Sequence, residues 1–427
     1  IALGGRFDFK PEETKGDATL NIALTFPTIK DLLATQVKVD LDATLNKVYI
    51  PNAVKNYALT DGPFSVKYDS EKIILSGNGK LLDRPVELDW TRYVDSDAHK
   101  DYSVINASFN GDKKLRDAFN IDLDDYISGT PAVKLTYKER PNNAAVIDVD
   151  LDLTPAKFFI NPFDSIKDEK QVGNASAHII IRDGEVHEIN RLNINTPDTV
   201  IKNAKIQFGK VGKEWDIKSG EFNKVQIQKN KFDLEISRPS SQVMRFEVDG
   251  TYLDLLPFLS VGDSVSGSDE DSNNKTAPKP SDKSGTDIEV FAKTKRLNTS
   301  KVDGRLDDAT AYVMINGNDV INQLEMDAKA EGKPVSLPYK PAQDSGKLEF
   351  RLEADDAGAF LRAFNLYENV KGGKIIVFGE PTAQGHPNNI KGKAMIDDFM
   401  VTNAPTLARL LNAMTLTGVE ELLTKEG

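Results

Sequence analysis

Cysteine is missing from all 427 residues. Its absence excludes disulfides, thiolate metal centres and a cysteine nucleophile, and it suits an oxidising compartment without requiring one. No apolar run reaches the roughly 18 to 20 residues that cross a bilayer as a helix. The chain opens at Ile1 without the basic, apolar, cleavable leader of an exported precursor, so it reads as an excised or processed segment, and any anchor would lie outside it. Basic residues are in deficit, 54 Lys and Arg against 66 Asp and Glu for a formal charge of -12, and no Lys/Arg block follows a phosphate backbone. Nucleic acid is not an expected partner.

Metal and catalytic patterns are lacking too. The four histidines, His99, His178, His187 and His386, have no metal-ligand spacing, and "GDSVSG" is a serine motif stranded in a polar linker. "SGNGK" carries no Ser or Thr after its Lys and reads as a hairpin turn; Gly372 and Gly373 also read as a turn. Asp355 and Asp356 precede "AGAFLRAF", where a carboxylate caps a helix. No enzyme, cofactor or metal site is expected.

Strand alternation is what the sequence does have. "AAVIDVDLDLTP" sets Ile147, Val149, Leu151 and Leu153 on one parity and Asp148, Asp150 and Asp152 on the other. Successive strand side chains point to opposite faces, so one face is apolar and one anionic. The same habit recurs at Leu20, Ile22, Leu24 and Phe26, at Val37, Val39 and Leu41, at Phe232, Leu234 and Ile236, and at Leu348, Phe350 and Leu352. Short helices are expected at 28–34, 113–119, 154–159, 253–259, 356–365 and 405–414. Three echoes, "VDLDLTPAKFF", "VDGTYLDLLPFL" and "LEADDAGAFLRAF", each run from a strand through an aspartate toward helical material.

Residues 262–286 are Ser, Asp, Lys, Pro and Asn with no aromatic, a composition too polar to offset the entropy of ordering. They are expected to be a disordered linker between an N-terminal unit, 1–261, and a C-terminal unit, 287–427. With 39% apolar residues each unit can bury a core. The class is mainly β. Pattern alone leaves open whether a second sheet covers the apolar parity or whether an open groove holds something else.

The C-terminal sequence narrows this by likeness. Asp356-Ala357-Gly358, Gly372-Gly373, Gly392, Asp398-Phe399 and Asn403-Ala404-Pro405 with its Leu-rich continuation resemble the C-terminal region of the AsmA-like superfamily, in particular its YhdP-like branch of bacterial envelope proteins. "LSGNGKLLDRPVELDW" and "LDDYISGTPAVKLTY" resemble the preceding domain. The resemblance implies an elongated, twisted, curled antiparallel sheet forming an apolar groove, with short helices at its edges and helices at the C-terminal end. It implies a non-enzymatic conduit for phospholipid between the inner and outer membranes, in the periplasm and anchored through an N-terminal helix outside this chain. Phospholipids, both membranes through segments outside this chain, and envelope proteins are the implied partners. The groove lining would be the seventeen parity residues named above from Leu20 to Leu352, the acidic parity remaining solvated. The alternative is a structural or assembly scaffold with closed sheets and protein partners.

Overall fold

The computed structural model describes residues 11–33, 36–257, 285–300, 304–317, 320–341, 348–381 and 390–402. Strand makes up 69% and helix 6%, the strands being mostly antiparallel neighbours, with two short helices among the described residues. The chain forms two compact units, Ile1–Gly209 and Lys210–Gly427.

Unit 1 opens with β1 (Lys15–Thr25) and β2 (Lys38–Val54), then β3 (Tyr57–Asp61) and β4 (Phe64–Tyr68), which both pair with β2 and act as one interrupted strand. It continues through β5 (Lys72–Leu81), β6 (Arg84–Tyr93), β7 (Ser103–Asn110), helix α1 (Lys113–Ala118) and β8 (Ile127–Gly129). Next come β9 (Ala132–Arg140), β10 (Ala144–Asp152), β11 (Ala156–Ile160), β12 (Ser165–Lys167), β13 (Asn174–Arg182), β14 (Glu185–Asn195) and β15 (Thr199–Val211). The large sheet is an antiparallel meander in which β9 follows β7 and β13 follows β10. Tight turns fix it: Leu82 and Asp83 join β5 to β6, and Asp183 and Gly184 join β13 to β14, all four at positive φ as primed hairpin turns require.

Three sequence expectations fail here. "SGNGK" is not a turn but the middle of β5, where Gly77 and Gly79 leave room for the Phe64 ring; a glycine inside a strand marks close approach by another group. Residues 154–159 do not form a helix: Ala156 and Phe158 are buried while Lys157 is exposed, a period of two, and β11 joins β8 and β12 in a separate three-stranded sheet. Residues 28–33 are turn and irregular chain, whereas the helices expected at 113–119 and 356–365 are present. The 405–414 helix lies outside the described residues, as does most of the linker.

The three-stranded sheet is pinned by Lys167. Its Nζ donates to the carbonyls of Leu153 at 2.5 Å, Ala156 at 2.7 Å and Asp168 at 3.0 Å, and the residue is 1% exposed. All three ammonium donors are used. Lys167→Met keeps the stem but takes the ammonium donor from all three carbonyls; Leu153 and Asp168 still accept from Ala156 N and Gln171 N, while Ala156 loses its side-chain donor, and the change is expected to destabilise unit 1 by about 1–3 kcal/mol, read as a lower urea midpoint at unchanged m-value.

Unit 2 is β16 (Glu214–Ile227), β17 (Asn230–Ser240), β18 (Val243–Asp254), β19 (Asp287–Asn298), β20 (Arg305–Ile315), β21 (Ile321–Ala330), β22 (Lys333–Pro341), β23 (Leu348–Ala354), α2 (Ala357–Ala363), β24 (Val370–Pro381) and β25 (Ile390–Val401). Neighbours pair antiparallel except β18 and β19, which run parallel over ten register positions from Val243↔Asp287 to Asp254↔Asn298. The compositional boundary at 262–286 therefore joins two neighbouring strands of one sheet, and the compact units divide at Gly209/Lys210 instead. Gly372 and Gly373, at φ +63 and +81, form an irregularity within β24 and not a loop before it. Two members of the aspartate echo share a use, Asp152 accepting from Thr154 N at 2.8 Å and Asp254 from Leu256 N at 3.1 Å; in the third it is not Asp355 but its neighbour Asp356 that caps α2, through Ala359 N at 2.9 Å.

Candidate functional site

Directly paired residues on neighbouring strands share a face. Following the register across unit 1 gives the row Leu20, Ala43, Val66, Leu75, Trp90, Ile105, Tyr137, Ile147, Ile179, Ile189 and Ile206, one apolar residue on each of eleven successive strands from β1 to β15. The next positions toward the other end of the strands give Leu45, Phe64, Gly77, Leu88, Ala107, Leu135, Val149 and Ala177. The opposite face carries Thr19, Thr44, Ser65, Ser76, Asp89, Asn106, Thr136, Asp148, His178 and Asn190 in one row. At about 4.8 Å per strand the apolar row spans on the order of 50 Å.

The predicted lining residues of unit 1 share this face but not its degree of cover. Leu20, Ile22, Leu24 and Phe26 are 50–57% exposed, and Phe26 follows the end of β1. Val39 and Leu41 are half-buried opposite Leu24 and Ile22, with Val37 just ahead of β2. Val149 and Leu151 are half-buried. Ile147 is buried among Ala145, Ile181 and Val186, and Leu153 is fully covered by Ile127, Ala156 and Phe158 of the small sheet. Leu153 therefore belongs to a packed core.

Unit 2 repeats the arrangement. Gly220, Ile236, Phe246, Val290, Val313, Leu324, Tyr339, Phe350, Gly379 and Gly392 form one row across ten strands, and Phe222, Leu234, Val248, Ala292, Ala311, Met326 and Leu337 a second. Leu234, Ile236, Leu348 and Phe350 are half-buried and Phe232 is buried. Leu352 is covered: α2 lays Phe360 and Leu361 over Leu306, Val335, Leu352 and Ile375, and so fills one end of the face with protein. Arg362 fixes the helix, donating Nε and Nη2 to Glu331 at 2.7 and 2.8 Å and Nη1 to the Val370 carbonyl at 2.8 Å. A cavity of about 350 Å³ lies beside these groups, with Arg305 and Asp307 in its wall. Another of about 350 Å³ in unit 1 is lined by Gly79, Val86, Phe109 and Val133 with Glu87 and Lys134 at its margin.

The polar parity holds paired as well as exposed side chains. Asp148 accepts from His178 Nδ1 at 2.6 Å and Lys138 Nζ at 3.3 Å; burial pushes its carboxyl upward, and these two partners hold it below the ordinary carboxylate range. Asp150 is exposed. No group of metal-ligating side chains occurs among the described residues.

Two charged residues on the apolar parity were not singled out from the sequence. One step beyond Trp90, Ile105, Tyr137 and Ile147 toward the strand ends, the row reads Arg92, Ser103, Glu139 and Ala145. The signal was present: extending the alternation of Val133, Leu135 and Tyr137 by one position lands on Glu139. Burial pushes the Tyr137 hydroxyl up to about 12, with the charge of Glu139 adding to it.

Comparison of the chain with protein-family models, with curated proteins and with solved structures gives no match.

Proposed function

We propose that the open apolar band of each unit holds lipid acyl chains, and that the chain is a segment of a non-enzymatic phospholipid conduit between the inner and outer membranes of a bacterial envelope. The observation that carries this reading is the unbroken apolar row of unit 1 with Leu20, Ile22 and Leu24 at half or more of their full exposure. A contiguous apolar surface of this extent marks a binding surface. Burying hydrocarbon contributes about 0.8 kcal/mol per CH2, so chains lying across the strands stay in place while head groups remain in water. Each strand presents nearly the same surface as the last. Movement along the row exchanges equivalent contacts, which lowers the barrier without giving direction.

The AsmA-like, YhdP-like resemblance supports the periplasmic setting, anchorage outside this chain, and envelope proteins as further partners. Among the described residues no helix is long and apolar enough to cross a membrane. A second reading, an envelope scaffold with protein-filled sheets, has its own support in α2 over Leu352 and the small sheet over Leu153.

Native mass spectrometry of the purified chain separates the two. The conduit reading expects co-purifying phospholipid that detergent exchange removes. A clean apo mass with no uptake from vesicles would sink it in favour of the scaffold.

A further inference from the structure

The Arg92 and Glu139 pair interrupts the apolar face at its rim. Arg92 lies next to the end of β6, Ser103 begins β7 and Glu139 lies next to the end of β9, so this row forms the margin of the face beside the Trp90, Ile105 and Tyr137 row. Glu139 is 8% exposed, and its Oε2 makes no hydrogen bond. The nearest cation, Arg92 Nη1, stands 3.6 Å away, outside hydrogen-bond reach. Arg92 is the outer member of the pair, 39% exposed at its side chain, and lies over the Tyr102 ring at 5.6 Å. Ser103, wholly buried between the two in the row, accepts from Trp90 Nε1 at 3.0 Å.

A carboxylate oxygen buried without a donor costs free energy, and each such group in a fold calls for a reason. Packing does not supply one, because a leucine in place of Glu139 would continue the parity. The pair instead offers one accessible cation and, beneath it, one acceptor with spare capacity. A guanidinium suits phosphate oxygens, and a carboxylate suits an ammonium that brings its own N–H donors.

We infer that this rim takes the head group of a zwitterionic phospholipid with a primary ammonium: Arg92 turns outward to the phosphate and uncovers the buried Oε2 of Glu139, which makes no hydrogen bond, for the ammonium. The inference rests on the acyl-chain reading of the adjacent face and adds to it the class of lipid preferred. Chains lie on Trp90, Ile105 and Tyr137, and the head sits one row outward where the strands end. An anionic lipid without an amine leaves the Glu139 oxygen without a hydrogen-bond donor, and a quaternary ammonium brings no N–H to it.

The test loads the whole chain from vesicles holding equal parts of phosphatidylethanolamine, phosphatidylcholine and phosphatidylglycerol with identical acyl chains, and reads bound lipid by native mass spectrometry. One charge-assisted hydrogen bond corresponds to enrichment of the ethanolamine lipid by about tenfold over the other two. Glu139→Gln, which keeps shape, is expected to abolish that preference. Should the variant not fold, the wild-type choice between ethanolamine and choline lipids still decides, since they differ only at the nitrogen. Bound lipid with no head-group preference, or a preference unchanged in Glu139→Gln, overturns the site and leaves the conduit standing. No bound lipid at all overturns both. Soluble glycerophosphoethanolamine in excess is expected not to displace the lipid; displacement would mark a site for a free metabolite and overturn the lipid assignment.

Discussion

Val149→Asp is expected to stop lipid transfer between donor and acceptor vesicles, lowering the rate at least about a hundredfold, while β10 stays paired with β9 and β13. Val149 is half-buried in the middle of the apolar face, facing Leu135 on one side and Ala177 on the other. An ionised carboxylate there meets acyl chains in place of water, and about 3 kcal/mol of added cost corresponds to that factor in rate. The block is severe because the row is in series: a chain crossing from β9 to β13 has to pass over β10. Asp150→Ala, on the exposed opposite parity, is the matched control and should transfer at the wild-type rate. Equal transfer by Val149→Asp and wild type, with the variant folded, would remove Val149 from the path. Loss of thermal stability alone would place it in ordinary core.

Much of this face was legible in the sequence. Alternation at Leu20 to Leu24, Val39 to Leu41 and Ile147 to Leu151 gives strands and their apolar parity, because side-chain direction is a local property of extended chain. What alternation cannot give is register. That Leu20 and Ile147 share one row depends on every intervening strand being in step, and each pairing is a long-range choice. The cover over Leu153 and Leu352 was hidden for the same reason: the small sheet and α2 fold back from elsewhere in the chain onto residues whose local pattern matches that of their uncovered neighbours. The linker misled through composition. Polarity sets residues 262–286 apart by composition alone, yet the flanking strands Val243–Asp254 and Asp287–Asn298 pair side by side, which composition does not encode. Glu139 was the readable position that went unread, a charge standing where parity calls for a hydrophobe.

The glycines of β5 carry the second large effect. Phe64 is fully buried, and its ring packs on the backbone of Gly77 and Gly79. A Cβ built on Gly79 would stand 2.5 Å from Phe64 Cζ and 2.8 Å from the Thr60 carbonyl oxygen, so a methyl group and the ring cannot share the space. Gly79→Ala is therefore expected to destabilise unit 1 by about 2–3 kcal/mol as an overpacked core. Phe64→Ala is expected to cost about 3–5 kcal/mol through the cavity left among Val48, Leu59, Leu75 and Val86. The two changes should not add. With the ring gone, the methyl group introduced by Gly79→Ala loses its closest clash and keeps only the one with the Thr60 carbonyl oxygen. In the Phe64→Ala background that change should then cost about 1–2 kcal/mol, what remains being the Thr60 contact, a coupling of about 1 kcal/mol in a double-mutant cycle. Denaturant titration of the four proteins measures it. Additive losses would mean that the ring does not rest on those glycines, and that the sheet at β4 and β5 is covered by something other than its own side chain.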